Sequence, residues 1–346
     1  MNSHALERLD DLGRRIVVAL QRDGRASWRA IAEVVGGSVT TVSRRGQQLI
    51  ADGIVKVAVV PALSAGGPYA SFWVRANCKP GTAMAGGGAL SAHPDVRFCT
   101  TVSGEYDIMA EIVVRGGANN QLGVVEGLRS IDGVERWRSD LIMHVYKVSF
   151  DWGRQLYGEL LGESSEADPR RQEDPADCGP EHFDAADLEI LSVLRDDGRE
   201  TFQRIADQLG INESSVRRRF DRLRANRCVD VLTLVSSAAL GMNSETLMTI
   251  KVTPSRLNEV GEELARHPSV RYLSSLVSDN SLLCEVITPS VQELHEFMTE
   301  FLARLDGVEG WTAAMELLYL KRGFVATPWW GDAVPQASLE AVATPS

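Results

Sequence analysis

Apolar residues recur at helical spacing through the first fifty positions. Ile16, Val17 and Leu20 form one face of a helix that ends near Asp23-Gly24. Ser27 suits the N-cap of a second short helix carrying Ile31, Val34 and Val35, which Gly36-Gly37 breaks. Ser38 suits the cap of a third helix, with Val42, Leu49 and Ile50 inward and Gly53 at its end. Residues 54–60 then read as a strand stopped by Pro61. Two short helices joined by a tight glycine turn form a helix-turn-helix. From residue 71 the pattern changes. Strands are expected over 71–77, 96–102, 107–114 and within 134–148, and helices over 80–92 and 121–131. Gly86-Gly87-Gly88 weakens the first of these helices by about 1 kcal/mol per glycine relative to alanine. The order β-α-β-β-α-β is ferredoxin-like.

The whole pattern is written twice. An offset of 174 positions carries Asp23-Gly24-Arg25 onto Asp197-Gly198-Arg199 and His93-Pro94 onto His267-Pro268. The same offset carries Asp132-Gly133-Val134-Glu135 onto Asp306-Gly307-Val308-Glu309. Two long units are not a solenoid. The expected class is α+β, with helix-turn-helix domains over 6–60 and 183–235 and ferredoxin-like domains over 68–152 and 243–325. A polar, acidic, proline-bearing stretch over 157–182 reads as a linker, and 326–346 as a tail whose Trp329-Trp330 clasps the folded body.

Composition narrows the function. The chain has 346 residues, 44% hydrophobic, with a net charge of -11. That mix excludes a disordered or collagen-like chain. No apolar run approaches the roughly 18 residues of a membrane span, and the start lacks a secretory pattern. Cys78, Cys99, Cys178, Cys228 and Cys284 are scattered and contain no C-x-x-C pair. The expectation is therefore no disulfide, no metal site and a reducing cytoplasm. The acidic balance argues against wholesale coating of nucleic acid but leaves room for a local basic patch.

Such a patch lies on the third helix of each front. Thr40, Thr41, Ser43, Arg44 and Arg45 face outward in the first, and Ser214, Ser215, Arg217, Arg218, Arg219 and Arg222 in the second. Ser38 and Asn212 begin these helices, where the N-terminus attracts phosphate. In a helix-turn-helix this helix enters the major groove of double-stranded DNA. The two helices differ: Ser43, Gln47 and Gln48 stand where the second copy has Arg217, Asp221 and Arg222. A second signal is Val102-Ser103-Gly104-Glu105-Tyr106-Asp107, between two strands. Gly104 can expose backbone N–H groups in a tight turn, and Asp107 adds a carboxylate. Spacing alone favours an ordinary hairpin turn over a pocket for an amino acid.

Together these motifs resemble the Lrp/AsnC family of transcription regulators, as two fused copies. The resemblance rests on Asp23-Gly24-Arg25, Ile31-Ala32, Arg44-Arg45 and Asp52-Gly53-Ile54-Val55, on the loop from Val102 to Asp107, and on the strand reaching Met143. It implies an operator-binding regulator, responsive to an amino acid or related small metabolite, whose back domains pair and assemble into homo-oligomers of even number. It also implies that Val102, Ser103, Gly104, Glu105, Tyr106, Asp107 and Ser139 border the effector pocket. In the second copy the loop reads Val277-Ser278-Asp279-Asn280-Ser281, and Ala313 replaces Ser139, so that pocket is degenerate. The reading is of a non-enzyme without a cofactor. The alternative is a siroheme decarboxylase, a fused pair of the same superfamily. It would need basic and histidine residues for tetrapyrrole carboxylates, for which the region offers Arg97, Arg271, His93 and His267.

Overall fold

A computed structural model of the chain describes residues 9–116, 131–162, 178–278 and 280–327, with 120, 123 and 127. Most of the helix expected over 121–131, the acidic centre of the linker, Asp279 and Trp329-Trp330 lie outside the described residues.

The first front comprises α1 (Asp11–Arg22), α2 (Trp28–Val35) and α3 (Val39–Ala51). Each starts at a side-chain cap: Asp10 accepts from the Gly13 N–H, Ser27 from Ala30 and Ser38 from Thr41. These caps satisfy N–H groups that the helix itself leaves open. Ile16, Leu20, Ile31, Val42 and Leu49 close one core between the helices. Strand β1 (Val55–Pro61) follows and includes the proline expected to end it. The first back comprises β2 (Tyr69–Cys78), α4 (Ala83–Ala92), β3 (Val96–Val102), β4 (Ile108–Arg115) and β5 (Val134–Val148), and α5 (Trp152–Tyr157) comes next. The second copy repeats the order. Its front is α6 (Ala185–Asp196), α7 (Phe202–Leu209), α8 (Glu213–Ala225) and β6 (Val229–Val235). Its back is β7 (Ser244–Val252), α9 (Leu257–Arg266), β8 (Val270–Leu276), β9 (Ser281–Thr288), α10 (Val291–Glu296) and β10 (Val308–Arg322), with β11 (Val325–Ala326) added at the end. Asn212 stands at the cap of α8, but its side chain makes no capping bond.

The two backs close on each other. Within the units the antiparallel orders are β3-β4-β2-β5 and β8-β9-β7-β10. Strand β5 pairs with β8 (Ile142↔Leu276), and β10 pairs with β3 (Glu316↔Val102). Each sheet's open edges are thereby filled by the other, which removes the exposed edges that invite aggregation. The glycine-rich α4 has its explanation here. A Cβ on Gly87 would lie 2.6 Å from Leu320, and one on the equivalent Gly261 of α9 would lie 2.6 Å from the Tyr146 ring. The glycines admit a side chain from the other unit at the cost of helix propensity.

The fronts are joined as well. β1 and β6 form a two-stranded antiparallel sheet from Val55↔Val235 to Pro61↔Val229. Arg25 donates to the carbonyls of Gly198 and Glu200, and Arg199 donates to those of Gly24 and Ala26. Arg199 also lies over the Trp28 ring, and Arg25 over Phe202.

A third reciprocal contact is a pair of lysine-to-carbonyl hydrogen bonds. Lys147 donates to the His267 carbonyl at 3.1 Å, and Lys321 to that of His93 at 2.8 Å. Both lysines are buried, which lowers each to about 8 from 10.5. Between those values the unfolded chain binds more protons than the folded one, so the lysines' penalty fades as pH rises. Replacing both with Met is expected to stabilise the protein most near neutral pH. The gain should shrink as pH rises from about 8 towards 10.5, read by urea denaturation of both proteins. A gain independent of pH would mean the lysines are not held charged and buried.

One cysteine expectation is corrected. Cys178 and Cys228 form a disulfide with Cα atoms 5.5 Å apart. It ties the segment before α6 to the start of β6. The partners are 50 positions apart, a separation that spacing rules do not detect. Ligand atoms of Cys178, His182 and Cys228 lie within 4.8 Å of one another, but as a disulfide the sulfurs carry no free thiolate to offer a metal. The inference of a reducing compartment rested on unpaired cysteines and loses that footing.

Candidate nucleic-acid interface and effector loop

Helices α3 and α8 present their polar faces to solvent. Ser38, Thr40, Thr41 and Arg44 are exposed on the first, and Asn212, Ser214, Arg217, Arg218 and Arg222 on the second, with Ser43 and Ser215 half-buried. The arginines divide by partner. Arg45 reaches back to Asp10 at 3.2 Å, and its equivalent Arg219 reaches Asp184 at 2.6 Å and Asp187 at 2.9 Å. Arg222 also binds Asp187 at 2.6 Å, and Arg217 binds Glu213 one turn earlier. Asp187 is fully buried and forms a capping box with Asp184 at the start of α6. Burying that carboxylate requires paired donors, so Arg219 and Arg222 clamp α8 to α6. Among the described residues, Arg44 and Arg218 are exposed and enter no ion pair. They are equivalent positions of the two copies. Arg218 also borders a shallow groove with Ser214, Arg217 and Asp221. The clamp was legible in principle, since Asp10 and Arg45 recur as Asp184 and Arg219 with the same spacing.

The loop after β3 is strapped to the second unit. The Ser103 N–H donates to the Met315 carbonyl at 2.9 Å, and its hydroxyl accepts from the Met315 N–H at 3.0 Å. Gly104 has φ +100, which an L side chain rarely adopts. Asn77 holds the Glu105 carbonyl at 2.6 Å, and Asp107 accepts from the Cys78 N–H at 2.7 Å. Val102 is buried with Tyr106 packed nearby. The structure thus brings Val102, Ser103, Gly104, Glu105, Tyr106 and Asp107 together against β2 and β10. Ser139 stands apart, exposed on β5 opposite Val74, two register places from the Ala76 whose carbonyl receives the Asp107 N–H. In the second copy Ser278 does something else: it donates to Asp140, which also pairs with Arg75.

The residues weighed for tetrapyrrole carboxylates are occupied. Arg97 binds Glu111 at 2.6 Å and Arg271 binds Glu285 at 2.6 Å, both pairs buried. His267 packs on Phe297 and Phe301, and burial, then Lys147, lowers it to about 4.

Residues 9–50 and 183–224 match the AsnC-type helix-turn-helix domain, and 74–151 and 245–322 match the Lrp/AsnC ligand-binding domain. The regulator LrpA of Pyrococcus horikoshii is 29% identical over 140 residues, 40% of this chain and 99% of that one. The regulator Ptr1 of Methanocaldococcus jannaschii is 26% identical over 142 residues, 41% and 96%. Among solved structures, the siroheme decarboxylase NirDL in complex with an iron-uroporphyrin III analogue aligns over 95% of this chain and 98% of its own. The TM-score is 0.59 at 14% identity, a likeness of fold. It corrects one expectation. The chain was read as a non-enzyme, yet over nearly its full length the two-unit fold is similar to that of an enzyme, so that reading does not stand.

Proposed function

The chain belongs to the Lrp/AsnC family, as two fused units, and from that membership we propose that it is a sequence-specific DNA-binding transcription regulator. Its two unlike reading helices act as one intrachain pair. The observation that carries this is the twin exposed arginine: Arg44 and Arg218 stand unpaired at equivalent positions while their neighbours are tied down. The β1–β6 sheet and the Arg25 and Arg199 contacts support a fixed spacing between the heads. Selection of sites from random DNA tests the reading. The expected product is a direction-bearing motif with two unlike half-sites, about one helical turn or a multiple apart. A perfect inverted repeat sinks the intrachain pair. On the selected site, Arg44→Ala and Arg218→Ala are each expected to cost about 1–3 kcal/mol if the arginine reads a base. Affinity should fall steeply with salt, by released counterions. Unchanged binding by the double variant removes the assignment.

The finer part of the proposal is sensing. An amino acid or similar metabolite would be held by the loop from Val102 to Asp107, whose left-handed Gly104 supports exposed N–H donors. Asp107→Ala should abolish the thermal shift caused by that effector while operator binding persists. If none of the common amino acids shifts the melting of the unaltered protein, this part fails. Chains are also proposed to associate further through Met143 and Leu317, equivalent exposed apolar residues of β5 and β10. Light scattering at high concentration would then give an even assembly.

The full-length fold likeness keeps a tetrapyrrole enzyme as a second reading. The purified protein then would bind an iron porphyrinoid with a Soret-type absorbance, and its absence on titration would dismiss that reading.

A further inference from the structure

The repeat supplies an internal control for every position. Four residues of the second back are polar where the first is apolar or small: Glu245 stands for Ser71, Glu316 for Ile142, Tyr319 for Val145 and Arg322 for Val148. All four border one chamber between the barrel and the β6 end of the second front, with Arg271 beside them. Its empty volume is about 690 Å³, part of it open to solvent. The first unit folds with apolar residues at three of these places, so the fold itself does not require the charges.

The hydrogen bonds of the cluster are nearly closed. Arg271 donates to Glu245 at 2.5 Å and to Glu285 at 2.6 Å. Arg322 pairs with Glu285. The Tyr319 and Ser237 hydroxyls donate to Glu245. Two groups are left over: the buried Nε–H of Arg271, which has no acceptor, and the Glu316 carboxyl. Both Glu316 carboxylate oxygens are shielded from solvent and have no hydrogen-bond partner. Burial, with Glu285 close by, raises the Glu316 carboxyl well above the usual carboxylate range, although Arg271 and Arg322 pull the other way. A buried carboxylate without a donor is costly. Were Glu316 ionised, it would make three carboxylates, with Glu245 and Glu285, against Arg271 and Arg322.

We infer that this chamber is a binding site for a small molecule carrying a single protonated amine or guanidinium, which donates to Glu316. Held protonated, Glu316 leaves Glu245 and Glu285 balanced by Arg271 and Arg322; a bound cation supplies the positive charge that lets Glu316 ionise and accept its N–H donors. A carboxylate or phosphate would bring further negative charge beside Glu245 and Glu285 and gives Glu316 no cation to ionise against. The flank of Trp152 and the Tyr319 ring offer apolar wall for a short aliphatic stem. The chamber's lining contains no residue of the loop from Val102 to Asp107, although Glu316 pairs with Val102 on the adjoining strand, and the inference does not depend on that loop sensing an effector.

The test is thermal melting of the full chain with ethanolamine, butylamine and agmatine as probes and glutarate and butanediol as controls. At about a hundredfold excess over Kd, an amine that binds only the folded state raises the melting temperature by several degrees. Glu316→Gln, which keeps the volume and loses the charge, and Glu316→Ile, the residue type of the first unit, are expected to lose the shift and melt higher than the parent without ligand. Asp107→Ala is expected to keep it. The inference is overturned if no amine shifts the parent, if the shift survives Glu316→Gln, or if glutarate and butanediol act equally. A shift lost only in Asp107→Ala places the amine at the first loop and also overturns it.

Discussion

Replacing Arg97 with Met is expected to destabilise the protein by about 3–5 kcal/mol, because it leaves the Glu111 carboxylate buried without its partner. Arg97 donates to Glu111 at 2.6 Å, and both side chains are below one-tenth exposed. The Glu111 carboxylate has little solvent to return to, since β3 and β4 sit between β10 and β2 in the closed sheet. Restoring the balance should restore stability. The double variant Arg97→Met with Glu111→Leu is expected near the parent, since apolar replacement of a buried pair is often neutral or stabilising. Urea denaturation of the three proteins decides it. A loss below about 1 kcal/mol in the single variant is the size of an exposed pair and would show that the two are not buried as a charged couple.

Opening the Cys178–Cys228 bond is the second large effect. Its partners are 50 positions apart, and closing a loop of that length removes unfolded-state entropy worth about 4 kcal/mol. The bond encloses α6, α7 and α8, so the loss should fall on the second head. Cys178→Ser is the cleaner variant, because Cys228 is fully buried in that head's core and its truncation adds a cavity. Denaturation of the parent with and without reductant should match Cys178→Ser against the oxidised parent. Equal stability in all three would show that the bond does not constrain the unfolded chain and would overturn the expectation.

Local pattern carried much of the architecture. The caps Ser27 and Ser38, the turn at Gly36 and the buried Ile16, Leu20 and Val42 follow from spacings of three and four residues, the range over which a helix satisfies itself. The alternation of the back half placed the strands, and the 174-position offset carried one reading onto both copies. The helix-turn-helix and ligand-binding domains matched in each copy agree with that reading.

What the tertiary structure decided involves partners far apart in the chain, between which spacing is silent. Arg44 and Arg45 are adjacent and alike in sequence, yet only Arg45 meets a carboxylate, at Asp10, because α3 folds back across the start of α1. The disulfide depends on β6 returning beside the segment before α6. Gly87 in α4 weakens a helix by local rules and is explained only by Leu320, brought in from the other unit. Glu316 looks like any strand residue alternating outward. Only closure of β10 against β3 buries its carboxylate with nothing to receive. The period of a side chain reports which face it shares with near neighbours. Which distant groups meet that face is settled when the two units close on each other.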